Sequence, residues 1–519
     1  MRTLCIPRAA RRHVWAMLTA SVVLSAAACD SNVPFLDAPS SVANTPHGVQ
    51  NAVNGLFYAV RLDVGNFAII MSSFGRDAAN FTNTEPRWIT EGTGIQPIVF
   101  NDQFISTFTW DQQFSNAKFA NTIIASLSKV QPAYSAQQLA ALTGVLQTMK
   151  ALQFMTIAET RDTLGVSVYS IDASTPQPAF CNKDVWQYIV ALLDSANVDL
   201  NLAGATPLPI TLPPGFQAVS QFAGPSNVPG SFAAFNRALA GKAGLELAYA
   251  IARGGAGAPT PTTPGAPDNT ALTRADSAIK SSALYNLSAI TTPSPGGFVV
   301  TDPFSVYHAF SPQSGDQVNP VNGTIGTLAV MWDLVVDVDT VNDARWKAKF
   351  AVNPNSVQQG AFNAVASPYI YSYYGSPSSP IPIVRDEELA LYDAQIQIGL
   401  GNYGNAITLI NTVHQQAGGF SSPLTIPSDY VDVRNALLRE QRISTVLESS
   451  GDRNISVRMY GMPTVSDTTW NSTNGPDAEG VATAEAALGT SITDLHTTVI
   501  PIPETEIDGR GGSYTLTCP

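Results

Sequence analysis

The stretch IPIVRDEELALYDAQIQIGLGNYGNAITLINTVHQQAGG, Ile381–Gly419, decides how the rest of the chain is read. Leu389, Tyr392, Ile396 and Leu400 recur at steps of three or four, which places them on one helical face. Tyr403, Ala406, Ile407, Ile410 and Val413 repeat that spacing in a second helix. Gly399, Gly401 and Asn402 break the two apart, and Gly418-Gly419 stops the second. Pro380 and Pro382 keep the entry extended. The stretch is a helical hairpin.

Working outward, further helices are predicted on the same periodicity. They cover 47–62, 111–129, 135–161 with Ser135 as its N-cap, 183–202, 232–252, 270–285 and 430–448. Asn66–Trp110 is irregular and rich in Asn, Thr, Gly and aromatics, so it is read as a long loop region of the kind that carries function. Residues 203–230 and 254–269 are Pro/Gly/Thr loops. The glycines of the second make no phosphate loop, because no strand precedes them and no Lys-Ser/Thr follows. Residues 294–379, with short alternating or apolar bits at 298–300, 328–335 and 369–374, read as loops, short strands and a short helix near 341–350. The fold class is mainly α.

The N-terminus has the three parts of a secretory signal. Arg2, Arg8, Arg11 and Arg12 form the positive end, Val14–Leu24 is the apolar core, and Ser25-Ala26-Ala27-Ala28 precede Cys29. Small residues directly before a cysteine resemble a bacterial lipobox, so Cys29 is the candidate lipidation site. Acyl chains on it would anchor the chain to a membrane. Asp30 leaves open which membrane that is. Residues 31–45 read as an extended tether. No later run reaches ~18 uninterrupted apolar residues, so no spanning helix is expected. Cys181 and Cys518 lie far apart; the sequence shows no disulfide framework and leaves their pairing open.

Several motifs resemble the SusD/RagB family of outer-membrane nutrient-binding lipoproteins. The hairpin matches a "PIxRxxExxLxxA … NxxxxxAG" signature through Pro382, Ile383, Arg385, Glu388, Leu391, Ala394, Asn411, Ala417 and Gly418. Gln395, His414 and Gln416 depart from it. The helix after the hairpin carries Leu437, Glu440, Arg442 and Glu448, followed by Arg453 and Arg458, in a similar Glu/Arg run. Val499–Ile507, VIPIPETEI, matches the family's "PIPxxEI" ending. With the lipobox, these motifs stand in family order along almost the whole chain.

The resemblance implies a SusD-like fold, with tetratricopeptide-like helix pairs as scaffold, irregular loops and a few short strands. It implies a signal peptide (1–28), a lipidated Cys29 with tether (29–45) and one domain (46–519). Within that domain, 46–290 and 381–460 would be helical scaffold, 291–380 loop-rich, and 461–519 an extended C-terminal segment. The family's role would be capture of an oligosaccharide, glycopeptide or peptide and delivery to a SusC-like TonB-dependent transporter at the outer membrane, facing the cell surface. Two other readings stand beside it: a helical-repeat envelope scaffold, which should recur at about 34 residues and does not, and a lipid-anchored glycan hydrolase.

Composition narrows the chemistry. A formal net charge of −13 makes nucleic acid a poor partner. Five His, no HExxH, no paired Cys and no GxSxG give no metal or nucleophile motif, so no cofactor, no metal and no catalysis are expected. Glu440 and Arg442 are expected in buried charge pairs, and His414 in packing. Binding a sugar or peptide needs aromatic faces beside hydrogen-bonding groups. The candidate ligand residues are Asn83, Arg87, Trp88, Trp110, Tyr307, Trp332 and Tyr371. Core packing is the alternative role for each aromatic.

Overall fold

The computed structural model describes residues 45–75, 77–80, 85, 87–90, 104–168, 177–253, 257–313, 315–330, 332–352, 369–448, 452–460 and 499–517. Its longer helices are α1 (Pro46–Ala59), α2 (Val64–Phe74), α3 (Asp111–Ser126), α4 (Ala136–Arg161), α5 (Asn182–Ala203), α6 (Phe232–Arg253), α7 (Asn269–Lys280), α8 (Asp386–Gly399), α9 (Tyr403–Gln416), α10 (Tyr430–Thr445) and α11 (Asp452–Met459). Eight short strands accompany them: β1 (Ala78–Asn80), β2 (Ala179–Phe180), β3 (Val306–His308), β4 (Leu328–Val330), β5 (Phe350–Val352), β6 (Tyr369–Tyr371), β7 (Ile381–Val384) and β8 (Leu516–Thr517). Shorter helices are named by their residues. The chain is mainly helical, as its periodicity predicts.

Helix starts follow local chemistry. Ser135 caps α4: its hydroxyl accepts from Gln138 N at 3.2 Å while the Gln138 side chain accepts from Ser135 N at 2.9 Å. Asp268 and Asp429 cap α7 and α10 with carboxylates that accept from backbone N–H groups two or three residues on, without the reciprocal bond. Thr45 caps α1, and Pro46 sits at the first helical position, where its missing N–H costs nothing.

From α3 to α8 each helix packs on its successor, and α9 and α10 both pack back on α8. This is the stacked helix-pair arrangement expected of the scaffold. One connected apolar core runs through it from Val49 to Ile502. Four strands form an antiparallel sheet in the order β1-β4-β6-β5, and β3 pairs antiparallel with β7, Tyr307 opposite Pro382. The parallel pair β2–β8 sets Ala179 opposite Leu516. The adjoining Cys181 is disulfide-bonded, and its partner lies outside the described residues.

Three expectations are corrected. The region read as irregular from Asn66 contains α2, nine of whose eleven residues are buried. An apolar run covered on all sides has no polar face to reveal a period. Helix α7 ends at Lys280, five residues short of its predicted end, and Phe298–Val300 is not a strand. By length and composition the stretch Pro46–Phe74 could cross a membrane, but it is broken between α1 and α2 and 61% of its most apolar window is buried. That is the behaviour of core helices.

The family-like motif residues meet in a buried ionic cluster. Arg385, just before α8, reaches Glu387 at 2.5 Å and Glu448 at 2.9 Å. Lys349 binds the other oxygen of Glu448 at 2.9 Å. Arg345 bridges Asp343 at 2.6 Å and Glu440 at 2.7 Å, and His414 Nδ1 lies 2.9 Å from Glu440. Burial alone would neutralise these groups. For Arg385, Glu387 and Glu448 outweigh burial and raise its pKa; for Glu440, Arg345 and His414 do so and lower it. The expected packing roles of Glu440, Arg442 and His414 are therefore seen. His414 also stacks on Phe420 at 4.1 Å, and Arg442 pairs with Asp77 at 2.5 Å.

Candidate functional site

The sequence candidates fall into separate places. Arg87 and Trp88 start the short helix Arg87–Thr90. Trp88 is buried edge-on to Phe104 (4.9 Å) and stacked on Phe108 (6.0 Å). Arg87 lies over the Phe104 ring at 4.4 Å, pairs with Glu85 at 2.7 Å and keeps 42% of its side chain exposed. These two candidates do come together. Trp110 is buried elsewhere, against Phe114 (4.8 Å) and beneath the guanidinium of Arg161 (5.0 Å). Tyr307 lies inside β3 with its hydroxyl donating to Asp302 at 3.1 Å, and Tyr371 is buried in β6 against Phe350 and Tyr374. Trp332 opens the short helix Trp332–Asp337, but its side chain lies outside the described residues, as do Asn83 and Cys29. Four of the named aromatic rings thus spend their faces on packing.

An accessible arrangement with binding chemistry lies on α1, and the sequence reading did not select it. Helical spacing puts Gln50, Asn54 and Tyr58 in one row, alongside the buried row of Val49, Val53, Leu56 and Phe57. The row forms one wall of a groove of about 630 Å³. Thr211, Leu212 and Pro213 form a second wall, and Arg61 with Asp316 closes one end. The Gln50 amide fixes the second wall by donating to Thr211 O at 3.0 Å and accepting from Thr211 N at 2.7 Å. Arg61 pairs with Asp316 at 2.7 Å and donates to Ala309 O, with its guanidinium 5.4 Å from the Tyr58 ring centre. Gln317 donates to Tyr58 O at 3.1 Å, which holds the 309–318 segment against the helix.

What remains available is a mixed surface. Asn54 is exposed and Tyr58 is half-buried. An aromatic ring beside amide, guanidinium and carboxylate groups can pack on an apolar ligand face while hydrogen-bonding hydroxyls or amides around it. From this groove the 309–327 segment leads into β4, whose partner β1 adjoins Arg87–Thr90. Among the described residues no group of three or more His, Cys, Asp or Glu could hold a metal ion.

No family model and no curated protein sequence matches the chain. Solved structures do. A SusD homolog from Bacteroides thetaiotaomicron aligns over 92% of this chain and 97% of its own, with TM-score 0.63 and 13% identity. A SusD superfamily protein from Bacteroides vulgatus aligns over 91% and 98%, with TM-score 0.59 and 13% identity. A SusD-like carbohydrate binding protein from the same species aligns over 81% and 84%, with TM-score 0.58 and 12% identity. At this identity the likeness is one of architecture, and the fold of this chain is that of the SusD superfamily.

Proposed function

We propose that the protein is a lipid-anchored, SusD-like glycan-binding protein of the cell envelope that passes its ligand to a TonB-dependent outer-membrane transporter. The carrying observation is the α1 groove on a fold shared with a SusD-like carbohydrate binding protein. Tyr58 supplies the ring face, and Asn54, Arg61 and Asp316 supply hydrogen bonds. Of the loop candidates, Arg87 offers accessible surface. Trp88, Trp110, Tyr307 and Tyr371 act by holding the loops in place. The ligand is bound without a covalent step, and peptides remain in the ligand class beside oligosaccharides.

The anchor is Cys29, exposed by removal of 1–28, with 29–45 as tether to a single domain that starts at 46. The disulfide at Cys181 supports export, because such bonds persist in oxidising compartments outside the cytoplasm. Delivery to the barrel transporter rests on the family resemblance of the motifs.

The test is a glycan and peptide binding screen with a soluble form lacking Met1–Cys29. A hit is expected, and Tyr58→Ala should weaken it about tenfold, the cost of one ring contact. A hit that Tyr58→Ala leaves untouched would move the site off α1. No hit across both classes would sink the binding role. Mass spectrometry of the mature protein from its own host should find Cys29 acylated; a free thiol there would remove the anchor.

A further inference from the structure

Behind the groove lies a second, smaller space. A cavity of about 50 Å³ sits where α1, α2, α3, α4, α6 and the β3–β7 ribbon meet. Part of its wall is apolar, including Val60 and Phe67, but polar side chains also line it: the half-buried Thr156 and five more, Gln113, Gln153, Glu159, Lys242 and His308. All five are buried. Lys242 pairs with Glu159 at 2.8 Å. Gln113 donates its amide to Phe108 O at 3.2 Å, while its Oε1 has no partner. The His308 ring hydrogen-bonds to no described residue. Burial, reinforced by nearby Arg61, lowers its pKa to about 3, so the ring is neutral and presents one donor and one acceptor.

Such a site is costly if dry. Each buried polar group without a partner costs about 1–3 kcal/mol. An apolar filling would leave the Gln113 oxygen in that state. The volume is too small for a sugar ring and has room for about three water molecules. The paired Lys242 and Glu159 leave the lining with no formal net charge, which favours neutral water over a halide or a metal ion.

We propose that this cavity is a binding site for a cluster of ordered water, held by His308, Gln113 and the Lys242–Glu159 pair. The cluster hydrates the joint between the helix stack and the β3–β7 ribbon. It touches the groove's support from behind: Ala309, which accepts from Arg61, follows His308 in the chain, and Val60 precedes Arg61.

A crystal structure fine enough to show solvent tests this directly. Waters are expected within hydrogen-bonding distance of a His308 ring nitrogen, of Gln113 Oε1 and of Lys242 or Glu159. Magnetic relaxation dispersion of water oxygen, run on the same protein in solution, should count these long-lived molecules. Gln113→Met should lower that count by about one, and His308→Phe, which removes both hydrogen-bonding ring nitrogens, should lower it by at least one. If His308→Phe does not fold, the wild-type and Gln113→Met measurements still decide. A dry cavity, an unchanged count in Gln113→Met, or an anomalous peak there in bromide-soaked crystals would overturn the proposal.

Discussion

The ionic cluster around Arg385 and the groove on α1 use the same residue types to opposite ends. In the cluster, Arg385, Lys349, Arg345, Glu387, Glu440 and Glu448 are buried, and each has an oppositely charged partner between 2.5 and 2.9 Å away. They come from three parts of the chain, 343–349, 385–387 and 440–448, and join the loop-rich middle to the hairpin and to α10. In the groove, Arg61 and Asp316 also pair, but Asp316 keeps 32% of its side chain exposed beside a half-buried Tyr58. Matched and enclosed charges hold a chain together. Half-matched and accessible ones are left to meet something else. The family-like motif marks the first region, so it reports how the protein stays folded rather than what it takes up.

The largest effect should come from breaking the cluster. Arg385→Met would leave Glu387 and Glu448 buried with too little positive charge and should cost about 3–5 kcal/mol in chemical denaturation. Ligand affinity per folded molecule should not change. A loss below ~1 kcal/mol would mean that the cluster does not hold the fold.

A buried carboxyl outside the cluster sharpens the contrast. Glu246 on α6 is fully enclosed, and burial raises its pKa from 4.5 to about 8, with Arg253 opposing. Its folded form therefore keeps a proton that the unfolded form releases between those values. Stability is undiminished below about pH 4.5 and falls as pH rises to about 8. Glu246→Gln removes that loss. Thermal and urea unfolding should show the variant more stable by roughly 2–4 kcal/mol at pH 8 and equal to wild type near pH 4. A pH-independent gain would point to packing instead.

The smallest effect on stability belongs to the groove. Asn54→Ala should shift unfolding by less than ~0.5 kcal/mol, as expected for an exposed surface position. It should still lower affinity for the screened ligand severalfold by calorimetry. A variant that binds normally would take Asn54 out of the site.

Much of the fold was readable because long amphipathic helices announce themselves. The hairpin, α3 to α6 and α10 appear close to their predicted bounds, and Ser135 caps α4 as its position suggested. Helix α2 was hidden by being apolar all round, and three-residue strands such as β1 are too short to show an alternating pattern. The site was less legible. Loop aromatics were chosen for their faces, yet burying a large ring is so favourable that Trp110 and Tyr371 are packed away. The α1 row was present in the sequence as Gln50, Asn54 and Tyr58, four residues apart, but only the neighbouring, apolar row was used. What made it a groove, the return of Thr211 and Asp316 to the same helix, involves sequence separations that no local pattern carries.

The Arg442–Asp77 pair bears on the order of events at birth. Asp77, just past α2, is held by Arg442, and Leu447 N donates to Ser72 within α2, so these partners stand 365 and 375 positions apart. The ribosome makes α2 early and its clamp late. Until α10 emerges, that greasy segment lacks its cover, and closure must wait for most of the polypeptide. A purified chain that stops before Arg442 should thus leave residues 64–74 open to proteolysis, whereas the full chain should protect them.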